Sequence, residues 1–368
     1  MKSTIETDRN ENTQKGLKAD QKLLWIGIAF SIGFTFVLWF FSIGLQSRME
    51  GIYGTFWPDF GATWYYWQLP AEFFWPRFTA WTFYLAHQIT LWVLTWRVMK
   101  KLGERKPQWS DDPNKDHYVI LLVNLAFVVL HLVQTQVWYD GLAQDVPIWT
   151  SQFSVILMLL LILLMENARR GFIWGKKLPI GKDAMNGLYK WHGYYIQWAL
   201  VYTFWFHPMD GSLAMFFGFM YMFLLLFQSS TFLLKVHLGR KWILFLEAFV
   251  WLHGTTVAIE SDYIRNASSS GLSWPIFFFG FMGMFVFTQQ FGLTKRKAVH
   301  FSLLAAYIAI AIITFTMIGW NKAFAMIAIP MAEYLGSLAG WGLFALVPRI
   351  KNKKKSRLER PEALTAKK

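Results

Sequence analysis

Three histidines and one glutamate are the residues of this 368-residue chain best suited to chemistry. His87, His131 and His253 lie in three separate apolar stretches. Glu260 follows His253 by two helical turns, so the pair shares one helix face. Neutral imidazoles bind Zn, Cu or non-haem Fe, and two of them can ligate a haem axially. The expected site is therefore a histidine-bound transition metal or haem b held by His87, His131 and His253. Glu260 and His207 are the candidate catalytic groups, Glu260 as base or as orienter of a ligand. A relay of protons along the same His and Glu side chains is the alternative chemistry.

These groups acquire a common position only through the elements that carry them. The chain is 55% hydrophobic and only 16% charged, against roughly 25% charged in soluble domains. Apolar stretches of about 18 to 25 residues cross a ~30 Å hydrocarbon layer as helices. Such stretches occur at about 23–46, 78–99, 117–139, 148–166, 190–208, 212–234, 241–260, 275–294, 298–320 and 324–347. Of the 36 Lys and Arg residues, all but Arg48, Arg77, Arg265 and Lys322 fall in the tails or in alternate gaps. The excess of basic residues in cytoplasmic loops assigns those gaps, and both termini, to the cytoplasm. The expected fold is an all-α polytopic membrane helix bundle of about ten transmembrane helices. It divides into a cytoplasmic tail (1–22), the bundle (23–347) and a basic cytoplasmic tail (348–368), the latter expected to be disordered. The first apolar stretch reads as a retained signal anchor.

At 1.5 Å per residue, His87, His131 and His253 lie about 13, 12 and 10 Å below the outer end of their spans. They share a level in the outer half. Tyr84 and Gln88 flank His87 on one face, Gln134 accompanies His131, and Thr256 lies between His253 and Glu260. His207 and Asp210 close the fifth span near the same rim. The histidine pairs 117/131, 192/207 and 237/253 resemble in spacing the paired ligands of two-haem b-type cytochromes. The inner member of each pair lies at the cytoplasmic surface, which argues against that use.

Two further regions stand out. The outer loop 47–77 holds Trp57, Trp64, Tyr65, Tyr66, Trp67, Phe73, Phe74 and Trp75; a segment so apolar lies in the headgroup layer or folds over the bundle as a lid. On the cytoplasmic side stand Glu166, Arg169, Arg170, His192, Lys235, His237, Arg240 and Glu247. Glu166 pairs locally with the two arginines, and Glu247 needs a partner, for which Arg240, Lys241 and His237 are nearest in sequence. Gly280, Gly283, Gly336 and Gly340 are expected to serve close helix packing.

The net charge of +14 suits anionic lipid headgroups at the cytoplasmic face, and nucleic acid is not an expected partner. There is no cysteine, so thiolate metal sites, disulfides and Cys nucleophiles are excluded. No H-E-x-x-H, G-x-S-x-G, Walker A or clustered histidine box occurs. The composition and basic tails fit a bacterial inner membrane. The leading functional expectation is a membrane enzyme acting on a lipid, isoprenoid or quinone. A proton-coupled transporter, with broken helices and a cavity open to water, is the alternative, as is a metal-free lipid transferase.

Overall fold

The computed structural model describes residues 16–60, 64–103, 108–139, 141–265 and 272–358. In chain order its helices are α1 (Ala19–Phe41), α2 (Leu45–Tyr53), α3 (Phe74–Leu102), α4 (Lys115–Val137), the single turn α5 (Leu142–Asp145) and α6 (Ile148–Arg170). They continue as α7 (Lys182–Phe206), α8 (Leu213–Ser230), α9 (Arg240–Ile259), α10 (Trp274–Phe287), α11 (Lys297–Ile318) and α12 (Ala328–Leu358). A π turn, Glu260–Ile264, extends α9, and 3-10 segments follow α10 (Gln289–Gly292) and precede α12 (Trp320–Ile327). Among the described residues the only β pairings are two isolated bridges.

Eight of these helices are long and apolar enough to cross a membrane. Each of the ten expected stretches is helical, but α3 and α7 fall outside the eight although they run 29 and 25 residues. Their position explains why. Leu91 and Ala80 of α3, and Phe204, Trp205 and Phe206 of α7, are completely or almost completely buried. The later half of α7 and one face of α3 are enclosed by protein, while Phe74, Leu85, Ile89 and Trp96 of α3 face outward; polar residues on the enclosed sides need not face lipid. The peripheral helices show the reverse pattern. Met317 is 81% exposed, Phe40 68% and Leu122 65%, an outward apolar surface that suits hydrocarbon and not water.

Local sequence sets the helix ends. The Asn114 side chain accepts from the amides of Asp116 and His117 to start α4, and Ser212 accepts from Met215 to start α8. Asp262, in the π turn, receives the amides of Ser273 and Trp274 at 2.7 Å and so caps α10 from a distance in sequence. Two glycines permit close approach. A Cβ at Gly280 would lie 2.8 Å from Ile329, and one at Gly336 would lie 2.8 Å from Leu160. These contacts seat α12 against α10 and α6.

One end of the bundle gathers basic connectors. Asp111 pairs with Lys18 and Lys235 there, tying the start of α1 to two loops. At the opposite end, the aromatic segment folds back over the helices. Trp67 packs on Phe206 with ring centroids 5.5 Å apart, and Tyr139 donates to the Trp67 carbonyl. Trp57 and Phe60 of the same segment face outward. It therefore covers the bundle with part of its length and presents aromatic edges with the rest. The sequence leads one to expect disorder from residue 349; α12 instead continues to Leu358.

Candidate functional site

The expected histidine site is a layer and not a cluster. His87 on α3 accepts at Nδ1 from the indole N–H of Trp205 (3.2 Å). An indole can only donate, so the ring proton of His87 sits on Nε2 and is donated to Asn124 Oδ1 at 2.9 Å. Asn124 donates to Ser230 Oγ at 2.9 Å, and Ser230 to the Leu226 carbonyl at 2.7 Å. One aligned chain thus crosses α7, α3, α4 and α8. Both nitrogens of His87 are committed to it, which leaves no lone pair for a metal.

His131 on α4 stands beside this chain. Its ring lies 4.3 Å from Trp205 and 4.6 Å from Phe204, with Phe219 at 5.8 Å. Neither ring nitrogen has a hydrogen-bond partner. The His253 ring packs so close to Gly218 of α8 that a Cβ there would come within 3.0 Å. Gly218 and Phe219 are consecutive and point about 100° apart around α8, so His253 and His131 meet different faces of that helix. Among the described residues no group of three or more His, Asp or Glu is placed to hold a metal ion. The three histidines expected to hold a metal or haem b therefore do not converge on one ion, and His131 is enclosed by aromatic rings.

The candidate catalytic groups are also engaged structurally. Glu260 Oε2 accepts the Ala214 amide at 2.6 Å, near the N-terminus of α8, and Oε1 pairs with Arg265 at 3.0 Å. A negative side chain is favourable at that helix end. The His207 ring nitrogen Nδ1 lies 2.9 Å from the Thr203 carbonyl, one turn back, and the ring faces Trp67 at 5.1 Å.

Above the histidine layer lies a cavity of about 260 Å³ under the aromatic segment. Trp39, Phe56, Tyr66 and Trp67 give it apolar walls, while Gln46, Asp210 and Arg265 give it polar ones. The Arg265 guanidinium sits 3.0 Å from the centre of the Tyr66 ring, and Tyr66 donates to Asp210 at 2.7 Å. Burial raises the Asp210 carboxyl above its usual range, while hydrogen bonds from Ser212 and Tyr66 and the charge of Arg265 oppose the shift. Burial, followed by the charge of Asp210, raises the Tyr66 hydroxyl well above its usual value.

At the basic end the arrangement is different. Arg170, at the end of α6, donates to Glu247 of α9 at 2.5 Å, and both side chains are more than nine-tenths buried. Sequence proximity suggested Arg240, Lys241 or His237 as the partner of Glu247; tertiary packing of α6 supplies Arg170 instead. Arg169 pairs with Glu166 through its Nε and approaches Glu247 at 3.8 Å. Glu333 on α12, 7% exposed, lies within electrostatic reach of Arg170 and Glu247. The sequence reading overlooked Glu333. Its signal was a carboxylate inside an apolar stretch, three residues after Pro330.

The backbone is irregular beside this cluster. α10 ends after 14 residues at Thr288, which is fully buried and leaves helical geometry before the 3-10 turn. The Thr288 hydroxyl is 2.7 Å from the Phe172 carbonyl and 2.6 Å from the Tyr334 hydroxyl. Gly292, four residues on, packs directly against the Arg169 guanidinium. No protein-family model, curated protein or solved structure matches this chain.

Proposed function

We propose that this multi-pass membrane protein is a proton-coupled transporter of a small amphipathic solute, with ten spans and both termini cytoplasmic, in a bacterial inner membrane. The observation that carries this reading is the buried Arg170–Glu247 pair between α6 and α9, beside the end of α10 at Thr288. Ionisable side chains buried between membrane helices are costly and recur along proton and ion pathways. The cavity at the opposite end supports the same reading. Its size suits an amino acid or monosaccharide, its aromatic walls a flat apolar face, and Asp210 and Arg265 a polar head. Basic residues at the other end meet anionic headgroups.

The test is proton movement in liposomes containing the purified protein and a trapped pH-sensitive dye. Amino acids, monosaccharides and aromatic amines are added outside in turn. The expected result is protein-dependent acidification of the lumen with one class and none with the others. A Soret band, or stoichiometric metal lost on His87→Ala, would overturn the reading in favour of the metal enzyme.

A further inference from the structure

We propose that the cavity under the aromatic segment is a binding site for a small methylated ammonium compound, held by ring contacts and by the charge of Asp210. The proposal rests on the transport reading for its purpose, since it names the charge of the solute, but not for its binding chemistry. Five aromatic side chains, Trp39, Phe56, Tyr66, Trp67 and Tyr139, line this cavity of about 260 Å³. An ammonium group against such rings is attracted by their electron-rich faces, and the attraction grows as water is excluded. One ring already makes this kind of contact. The Arg265 guanidinium stands 3.0 Å from the centre of the Tyr66 ring.

Two charged side chains line the cavity, Asp210 and Arg265. Arg265 has a partner of its own, because its Nε and Nη2 reach Glu260 Oε1 at 3.2 and 3.0 Å. Asp210 is placed differently. Its Oδ1 accepts the Ser212 amide at 2.8 Å and its Oδ2 the Tyr66 hydroxyl at 2.7 Å, two neutral donors for one carboxylate. Among the described residues no cation forms an ion pair with Asp210. The wall is thus left with one negative charge in a part-buried aromatic setting, where an unpaired charge is unfavourable. A cationic solute supplies the missing partner.

The same wall discriminates among solutes. An anion would meet Asp210 and find Arg265 committed to Glu260. A primary ammonium carries three N–H donors that need acceptors, and each Asp210 oxygen already receives one hydrogen bond. A methylated ammonium has no N–H to satisfy, and its methyl groups spread the charge over a surface that packs on rings. Charge and aromatic surface are what this cavity supplies.

The experiment is isothermal titration calorimetry of the full-length protein in a non-ionic detergent. Choline, its uncharged carbon isostere dimethylbutanol, and acetate are titrated in turn. The expected result is saturable choline binding at one site, affinity tenfold or more lower for dimethylbutanol, and no binding of acetate. These titrations use the wild-type protein, so no variant's folding enters them. Asp210→Asn keeps the shape of the side chain and one acceptor. It should lower choline affinity tenfold or more and leave dimethylbutanol unchanged. Trp39→Leu, at an exposed part of the wall, should lower choline affinity severalfold. The ammonium head has two sources, a free solute and a phosphatidylcholine headgroup. Tighter binding of dihexanoylphosphatidylcholine than of choline identifies the lipid, and the reverse order the free solute; either supports the site. Absence of saturable choline binding, equal affinity for choline and dimethylbutanol, a preference for acetate, or unaltered choline binding in folded Asp210→Asn would each overturn the proposal. Choline binding without proton-coupled flux removes only the transport reading, and flux of another solute without choline binding removes only this one.

Discussion

The histidine layer and the arginine–glutamate cluster are both polar, buried and surrounded by apolar helices, yet they are finished to different degrees. Along the chain from Trp205 through His87 to Leu226 every donor has an acceptor and the bonds run in one direction, while His131 beside it has no partner. Around Arg170 several donors and one carboxylate oxygen are left over. A completed network of neutral groups fixes four helices in register. The charged cluster keeps hydrogen-bonding capacity that its present partners do not use. The completed chain thus holds four helices together, and the cluster joins α6 to α9 through charge.

Removing single charges should break that contrast most severely. Arg170→Met leaves the buried Glu247 with only the longer 3.8 Å approach of Arg169 and is expected to cost about 3–5 kcal/mol, read as a large fall in thermal midpoint in detergent. Replacing both partners by apolar residues is expected to restore most of the loss. If the single and double replacements are equally destabilising, the site is simple packing. Asn124→Leu is the matching test for the histidine layer. It orphans the His87 Nε2 proton and the Ser230 hydroxyl, with an expected loss of about 1–3 kcal/mol. His131→Phe, which removes no hydrogen bond, should be close to neutral. A His131 variant as damaging as Asn124→Leu would show that the unpartnered imidazole carries a role the geometry does not express.

The two ends of the bundle should also differ in the sign of their pH response. His237, in the connector before α9, is lowered from 6.5 to about 4 by burial, with the neighbouring His192 adding to the shift. A lowered histidine contributes stability that is complete above 6.5 and is lost as pH falls toward about 4, with a slope of at most one proton. Asp210, in the connector before α8, is raised by burial. Its contribution is complete below the ordinary carboxyl range and declines as pH rises through the raised value. His237→Gln should flatten the acid limb of the stability profile, and Asp210→Asn the opposite limb. The smallest effect is expected at the Asp111 clamp, whose lysine partners are more than half exposed. Asp111→Asn should leave the unfolding midpoint unchanged within error, since exposed ion pairs contribute little.

The positions of the helices were readable from hydropathy alone, because a span in lipid must satisfy its own backbone hydrogen bonds and be apolar throughout. The expected depth of each histidine came from counting residues along its helix. Its direction around the helix axis, and the neighbour it meets, did not. His253 and His131 meet different faces of α8, at Gly218 and Phe219, a separation no residue count reveals. Glu260 looked like a free base because its partner amide, Ala214, is 46 residues away. The partner of Glu247 was sought within its own helix turn, whereas the structure supplies it from α6, 77 residues earlier.

The sequence by itself determined the helical character of each apolar stretch, the glycines at the close contacts of α12, and the gathering of basic residues into alternate connectors. Those properties depend on short windows of residue type, and lipid and helix geometry act on them locally. Only the tertiary structure decided that His87 spends both nitrogens on neighbours, that α10 ends at Thr288, and that Arg170 and Glu247 meet. Hydrogen bonds and buried charges depend on distances of a few ångströms between residues far apart in the chain. Which polar group stands satisfied and which stands in reserve is therefore a property of packing.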